Sequence, residues 1–373
     1  MQELKLNEIQ DIHVFGRTDG SLCPLTLFWS GSGIELNLRA SELWIELEAD
    51  YEQYEPWISV LVDGALVSRQ MVQKGRHWVP LLRSMSKDSE RNIKILRELQ
   101  PMQDDSSSFL QIHALRMDGE FCPIEQKNGK IEFIGDSLTS GEGLIGAKKE
   151  MDWISMVFSA SKAYPFLTAE ALNADYRVVS QSGWGVLSGW DGDQRHRIPE
   201  YYDQVCGVLK GIHNRDLGAE KPYNFSAWKP DAVVINLGTN DSCAFHQPAA
   251  FPDLENGGVF AQKINQDGTL EKASAHRLEK AMIDFLVQVR QKNPQAHIFW
   301  AYGMMQTDVD GLIQDAVRTY QRQSDDQNVS LLKLPSMTEE QAGSRQHPGP
   351  DVHRKAAQVL TQEIRPYLKK FHC

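Results

Sequence analysis

Cysteine is scarce and poorly placed for cross-linking. The five cysteines stand at 23, 122, 206, 243 and 373, an odd number with no C-x-x-C spacing. That excludes a disulfide framework and a thiolate zinc site, and leaves free, mostly structural thiols of the kind found in a reducing compartment. Long apolar runs are missing too: nothing approaches the roughly 18 consecutive apolar residues that a membrane-spanning helix needs. The first ten residues lack a basic segment followed by an apolar one, so no secretory leader is visible. The expected location is cytoplasmic; a chain from which a leader had been removed would be secreted or periplasmic. Positive charge is in deficit, 39 Lys and Arg against 50 Asp and Glu, a net −11. This balance argues against a nucleic-acid or anionic-membrane partner and favours a neutral substrate. Internal repeats and low-complexity tracts are also absent.

What is present is an ordinary globular composition, 41% hydrophobic and 24% charged, in 373 residues, enough for two domains. Residues 12–120 read as short strands. Leu25, Leu27 and Trp29 alternate with Thr26 and Phe28; after the turn at Gly31 to Gly33, Ile34, Leu36 and Leu38 alternate with polar residues. Further strands are expected at 44–47, 58–62, 77–82, 92–96 and 109–115. Asp63-Gly64 between apolar runs is a strong hairpin signal. Many short strands with close turns predict a β-sandwich, or jelly roll, over residues 1–122, with a junction in the charged stretch 119–128.

From 123 to 373 the texture changes. Apolar runs at 131–134, 176–179, 232–235, 297–301 and 329–334 read as strands buried on both faces. Helical stripes separate several of them: Leu278, Ala281, Met282, Phe285 and Val289; Leu312, Ala316 and Val317; then Val352, Ala356, Val359, Leu360 and Ile364, disturbed at Pro366. This alternation predicts an α/β domain with a doubly wound parallel sheet. Two excursions break the rhythm, 184–230, with a helix expected from Pro199, and 242–275.

Four short segments follow strands or precede the last helix: Gly135-Asp136-Ser137, Ser182-Gly183-Trp184-Gly185, Gly238-Thr239-Asn240-Asp241 and His347-Pro348. Each alone is a common turn or cap. Together they fall at the carboxyl edge of one sheet, where open α/β sheets place their sites. Their chemistry fits acyl transfer. A serine hydroxyl needs a base, histidine titrates near neutrality, and an oxyanion needs fixed donors. Ser137 and Gly183 can offer backbone N–H groups, and Asn240 a side-chain amide.

These segments resemble the blocks of the SGNH (GDSL-type) hydrolase superfamily. The likeness extends to carbohydrate esterase family 2 through Gly16 to Thr18, Gly31 to Ile34, Val62 to Gly64, Ser182 to Val186 and Ile198 to Tyr202, and so covers nearly the whole chain. The resemblance implies a jelly roll followed by an SGNH domain with a five-stranded, flavodoxin-like parallel sheet. It implies removal of O-acetyl groups from sugars, an acetylated carbohydrate as partner, and no metal or cofactor. Carried over, Ser137 is the nucleophile, His347 the general base, and Ser137, Gly183 and Asn240 the oxyanion hole. Trp184, Trp190 and Asp241 are expected to bind substrate, while Asp136 and His353 are expected to be structural. One departure stands out: the superfamily's aspartate three residues before the histidine is Ser344 here, as in members that work with a Ser–His dyad. A backbone carbonyl in loop 340–347 is then expected to orient His347. The tryptophan that often precedes the histidine is Gln346. The alternatives are an esterase or lipase for aliphatic or lipid esters, and a non-catalytic carbohydrate-binding protein. The latter should have lost Ser137, Asn240 or His347, and all three remain. Oligomeric state does not follow from the sequence.

Overall fold

Alternation of inward apolar and outward polar residues builds the first third of the chain. The computed structural model describes residues 1–305 and 307–368, so Cys373 lies outside the described residues. The strands are β1 (Gln2–Lys5), β2 (His13–Phe15), β3 (Leu25–Thr26), β4 (Gly33–Arg39), β5 (Leu43–Asp50) and β6 (Trp57–Val62). They continue with β7 (Ala65–Met71), β8 (Gly75–Leu82), β9 (Arg91–Arg97), β10 (Phe109–Met117) and β11 (Glu120–Cys122). One antiparallel sheet runs β1-β10-β5-β8 with β3 beside β10; the other runs β11-β4-β9-β6-β7 with β2 beside β4. In β5, Leu43, Ile45, Leu47 and Ala49 are buried in turn, and they share a core with Leu36, Ile58, Val60, Ile93, Ile95 and Ile112. The Asp63-Gly64 turn has positive φ at both residues, 49° and 79°, as a tight hairpin requires.

Packing divides the chain into two units, the first of which is Met1–Lys127 with Asp152–Ser161 and Gln204–Tyr223. Those two later segments are tied to the sandwich by polar contacts, the first through Arg69, which donates to the Phe158 carbonyl at 2.8 Å. Trp29 Nε1 donates to the Val205 carbonyl at 2.7 Å, and Arg17 donates to the Gln204 carbonyl at 3.1 Å. The strand expected to continue through Trp29 stops at Thr26. Leu27, Phe28 and Trp29 are all buried, and the chain turns where Ser32 N donates to Trp29 O.

The second unit is Asn128–Met151, Lys162–Asp203 and the chain from Asn224 onward. Its parallel sheet has β12 (Lys130–Gly135), β13 (Asp175–Ser180), β14 (Ala232–Asn236), β15 (His297–Tyr302) and β16 (Val329–Lys333) in the order β13-β12-β14-β15-β16. The five predicted apolar runs are these five strands. The helices are α1 (Ser137–Ser140), α2 (Tyr164–Leu172), α3 (Ile212–Asp216, in the first unit), α4 (Thr239–Ala244), α5 (Lys272–Lys292), α6 (Asp310–Ser324) and α7 (Pro350–Ile364). Buried Leu278, Met282, Phe285 and Val289 seat α5, and α7 gives way to a 3-10 turn at Arg365 to Tyr367, beside Pro366. The helix expected from Pro199 is only a 3-10 turn, Ile198–Tyr201. Here Ile198 N donates to Gly185 O, and the Tyr202 hydroxyl donates to buried Glu132 at 2.6 Å, which commits the chain elsewhere. Register aligns the strand ends: Gly135 pairs with Ser180 on one side and Asn236 on the other. The loops that follow these three residues therefore leave the sheet side by side.

Candidate active site

Ser137 opens α1 directly after β12. Asp136 caps that helix, its Oδ1 accepting from Leu138 N at 3.0 Å, and Gly141 ends it in a left-handed conformation at φ +78°. A Cβ on Gly135 would lie 1.9 Å from Thr139 Oγ1, so only glycine lets the first helical turn fold back on the strand. Ser137 itself is 6% exposed.

His347 arrives from the far end of the sequence. Its Nε2 lies 2.9 Å from Ser137 Oγ, and its Nδ1 lies 2.8 Å from the Arg345 carbonyl. A carbonyl can only accept, so Nδ1 carries the proton and Nε2 of the neutral ring faces the hydroxyl as an acceptor. The Nδ1 partner thus falls within loop 340–347. Ser344 Oγ points elsewhere, to Gly143 O at 3.3 Å, and Asp351 pairs with Arg354.

Asn240, on α4 after β14, ties the other pieces together. Its Nδ2 donates to Trp184 O at 2.9 Å and to Asp136 Oδ2 at a longer 3.3 Å. Gly183, after β13, has φ +80°; a Cβ there would come 3.1 Å from Trp190 Cδ1, so the indole edge of Trp190 lies over it. Burial pushes the Asp136 carboxyl up to about 7, with the Asp241 and Glu142 charges adding to the rise.

The three expected substrate-binding residues separate. Trp190 is 50% exposed and available. Trp184 is buried, stacked on His196 and tilted against Tyr201, a wall rather than an open face. Asp241 needs correction. It is fully buried, and its carboxylate accepts from the amides of Val186, Leu187 and Ser188, so it holds the 182–189 loop and offers nothing to a ligand. His353 is also fully buried, with Nδ1 accepting from Tyr164 N at 3.2 Å; burial, then nearby His347, push it down to about 3.

Sequence reasoning passed over Glu142. This carboxylate is buried at the site, 2.7 Å from Arg345 Nε and 3.9 Å from His347 Nε2. Burial alone would raise it, but His347, the Ser182 hydroxyl and Arg345 together hold it below the usual carboxylate value. The one available signal was a charged residue set between two glycines, Gly141 and Gly143.

Comparison with known proteins follows the same outline. The GDSL-like lipase/acylhydrolase family matches residues 131–360. The structure superposes on an acetyl xylan esterase, Est2A, from the rumen bacterium Butyrivibrio proteoclasticus, with a TM-score of 0.96 and 42% identity over 100% of both chains. A family two carbohydrate esterase from Clostridium thermocellum, solved with cellohexaose, gives a TM-score of 0.77 at 25% identity, covering 95% of this chain and 98% of that one. The cellulase/esterase CelE of Acetivibrio thermocellus is 27% identical over 95% of this chain, which spans only 38% of CelE's length.

Proposed function

This chain belongs to the GDSL-like lipase/acylhydrolase family, and from that premise we propose that it is a carbohydrate O-acetyl esterase working with a Ser137–His347 dyad. The observation that carries the reading is the chain of contacts from Ser137 Oγ through His347 to the Arg345 carbonyl. In acylation, His347 Nε2 takes the Ser137 proton as Oγ attacks the acetyl carbonyl. The tetrahedral oxyanion is held by the Ser137 and Gly183 amides and the Asn240 side chain. As the intermediate collapses, the imidazolium returns its proton to the departing sugar hydroxyl and leaves an acetyl-Ser137 ester. Water, deprotonated by His347, then attacks that ester, and collapse releases acetate and restores the Ser137 hydroxyl. No step calls on a metal. The half-exposed Trp190 gives a sugar ring an apolar face beside Gly183. The named relatives support the substrate class: an acetyl xylan esterase, and a family two carbohydrate esterase seen with cellohexaose.

The test is acetate release from acetylated xylan and glucomannan, read by regiospecific NMR, for wild type and Ser137→Ala. Wild type is expected to deacetylate and the variant to lose turnover while keeping its thermal midpoint. Activity of Ser137→Ala within tenfold of wild type would remove Ser137 from the mechanism. An octanoyl ester cleaved faster than the matching acetyl ester would instead make the protein an aliphatic or lipid esterase.

A further inference from the structure

A histidine oriented by a neutral carbonyl keeps its tautomer but gains no counter-ion for the imidazolium that forms in each half-reaction. The usual place for that charge is taken by Ser344, fully buried and hydrogen-bonded to a carbonyl. A negative charge is nevertheless present on the other side of the ring. Glu142 is 3% exposed, with Oε1 3.9 Å from His347 Nε2, and it accepts from Arg345 Nε at 2.7 Å. An exposed carboxylate at that distance would be screened to little effect; a buried one is not.

The backbone beside it is unusual. Arg345 and Gln346 both sit at positive φ, 53° and 59°, a conformation that side-chain-bearing residues avoid. That turn is what directs the Arg345 carbonyl at His347 Nδ1. It is held from outside: Arg345 Nε by Glu142, its Nη1 by Met151 O at 2.7 Å, and its backbone amide by Glu150 O at 2.8 Å. Gly143 and Gly343 let the two loops interlock, since a Cβ on either would fall 2.3 Å or less from a carbonyl oxygen of the other loop.

We propose that Glu142 is a positioning residue for ester cleavage: its buried carboxylate clamps Arg345 so that the Arg345 carbonyl aligns His347, and supplies the negative charge that position 344 lacks. This rests on the dyad reading above. The titratable and charged groups facing His347, among the described residues, are Glu142 just after α1, Arg345 on its own loop, and His353 from α7.

Glu142→Gln keeps an acceptor for Arg345 and Ser182 but removes the charge. With an aryl acetate as substrate, kcat is expected to fall about 100-fold with KM little changed, the low end of what one acid–base group contributes. The acidic limb of the kcat/KM profile should move to lower pH. Arg345→Gly, which tolerates the positive φ but releases the clamp, should also lose turnover, and should move the limb to higher pH because the carboxylate is then unpaired. A kcat within threefold of wild type and an unmoved limb in Glu142→Gln would overturn the proposal. So would a loss of kcat with the limb unmoved, since that is what a merely structural residue would give. If Glu142→Gln does not fold, the Arg345→Gly profile decides in the same way. If wild type shows no Ser137-dependent ester cleavage, the proposed function fails. The imidazole titration of His347, read by ¹⁵N NMR in wild type and Glu142→Gln, then still decides the role of Glu142: a displaced titration supports it and an identical one overturns it.

Discussion

Asn240 has two protons on Nδ2 and uses both in the resting site. The bond to Trp184 O, at 2.9 Å, fixes the amide; the contact to Asp136 Oδ2, at 3.3 Å, is long and is the one an oxyanion would replace. Asn240→Ala should therefore lower kcat by about 10²–10³ with a much smaller change in KM. Steady-state kinetics on an aryl acetate check this, and a pure KM effect would make Asn240 a substrate-binding residue instead. At this scale the sequence was informative where one residue type has one chemical use. The meeting of Ser137 and His347 was legible because a serine at a strand end and a histidine before the last helix fall at one edge of the sheet. Glu142 was not, because a glutamate in a glycine-flanked turn ordinarily faces water. Its burial depends on Arg345, about 200 residues away, and no local pattern encodes that.

Among the elements, the loop after β13 carries Gly183, Trp184 and Trp190 and depends on a residue outside itself. The Asp241 carboxylate takes the amides of Val186, Leu187 and Ser188, and Gly185 packs so tightly there that a Cβ would lie 2.4 Å from Asp241 Oδ2. Asp241→Ala leaves these buried donors without an acceptor, at about 1–3 kcal/mol for each orphan. The expected result is a thermal midpoint lower by several degrees, faster proteolysis between 182 and 201, and kcat/KM reduced more than tenfold. Unchanged proteolysis in this segment would show that the loop stands without Asp241. The parallel strands were legible because strands covered on both faces are continuously apolar, as in β14, where all five residues are buried. The edge strands were harder. Every residue of β7 is exposed or only partly buried, and it is polar from Ser68 to Gln70, so it does not read as a strand by itself; it forms because β6 pairs with it across the Asp63-Gly64 turn. The 3-10 turn at Pro199 was missed because tertiary hydrogen bonds override a local helix signal.

For the whole molecule, buried groups held in their neutral form set how stability follows pH. Burial pushes His353 down to about 3 and His297 down to about 4, so between those values and about 6.5 the unfolded chain binds protons that the folded one refuses. Stability from these two histidines is thus fully present above about 6.5 and falls as the solution is acidified. Asp136 acts in the opposite sense. Its carboxyl, pushed up to about 7, binds a proton in the folded chain that the unfolded chain has released from about pH 4 upward, so its contribution declines as pH rises through that window. The measurable quantity is the thermal midpoint at pH 7 minus that at pH 5. His353→Asn keeps a polar acceptor for Tyr164 N but removes a titrating group, and should shrink this difference even if the variant is less stable throughout. Asp136→Asn removes the opposing slope and should enlarge it. Calorimetry on the two variants at both pH values gives the answer. Displacements of the same sign would mean that one of these buried groups is charged in the folded state, contrary to its surroundings. If Asp136 is the one found ionised, an anion lies beside Asn240, and the donor set proposed for an oxyanion there would have to overcome it.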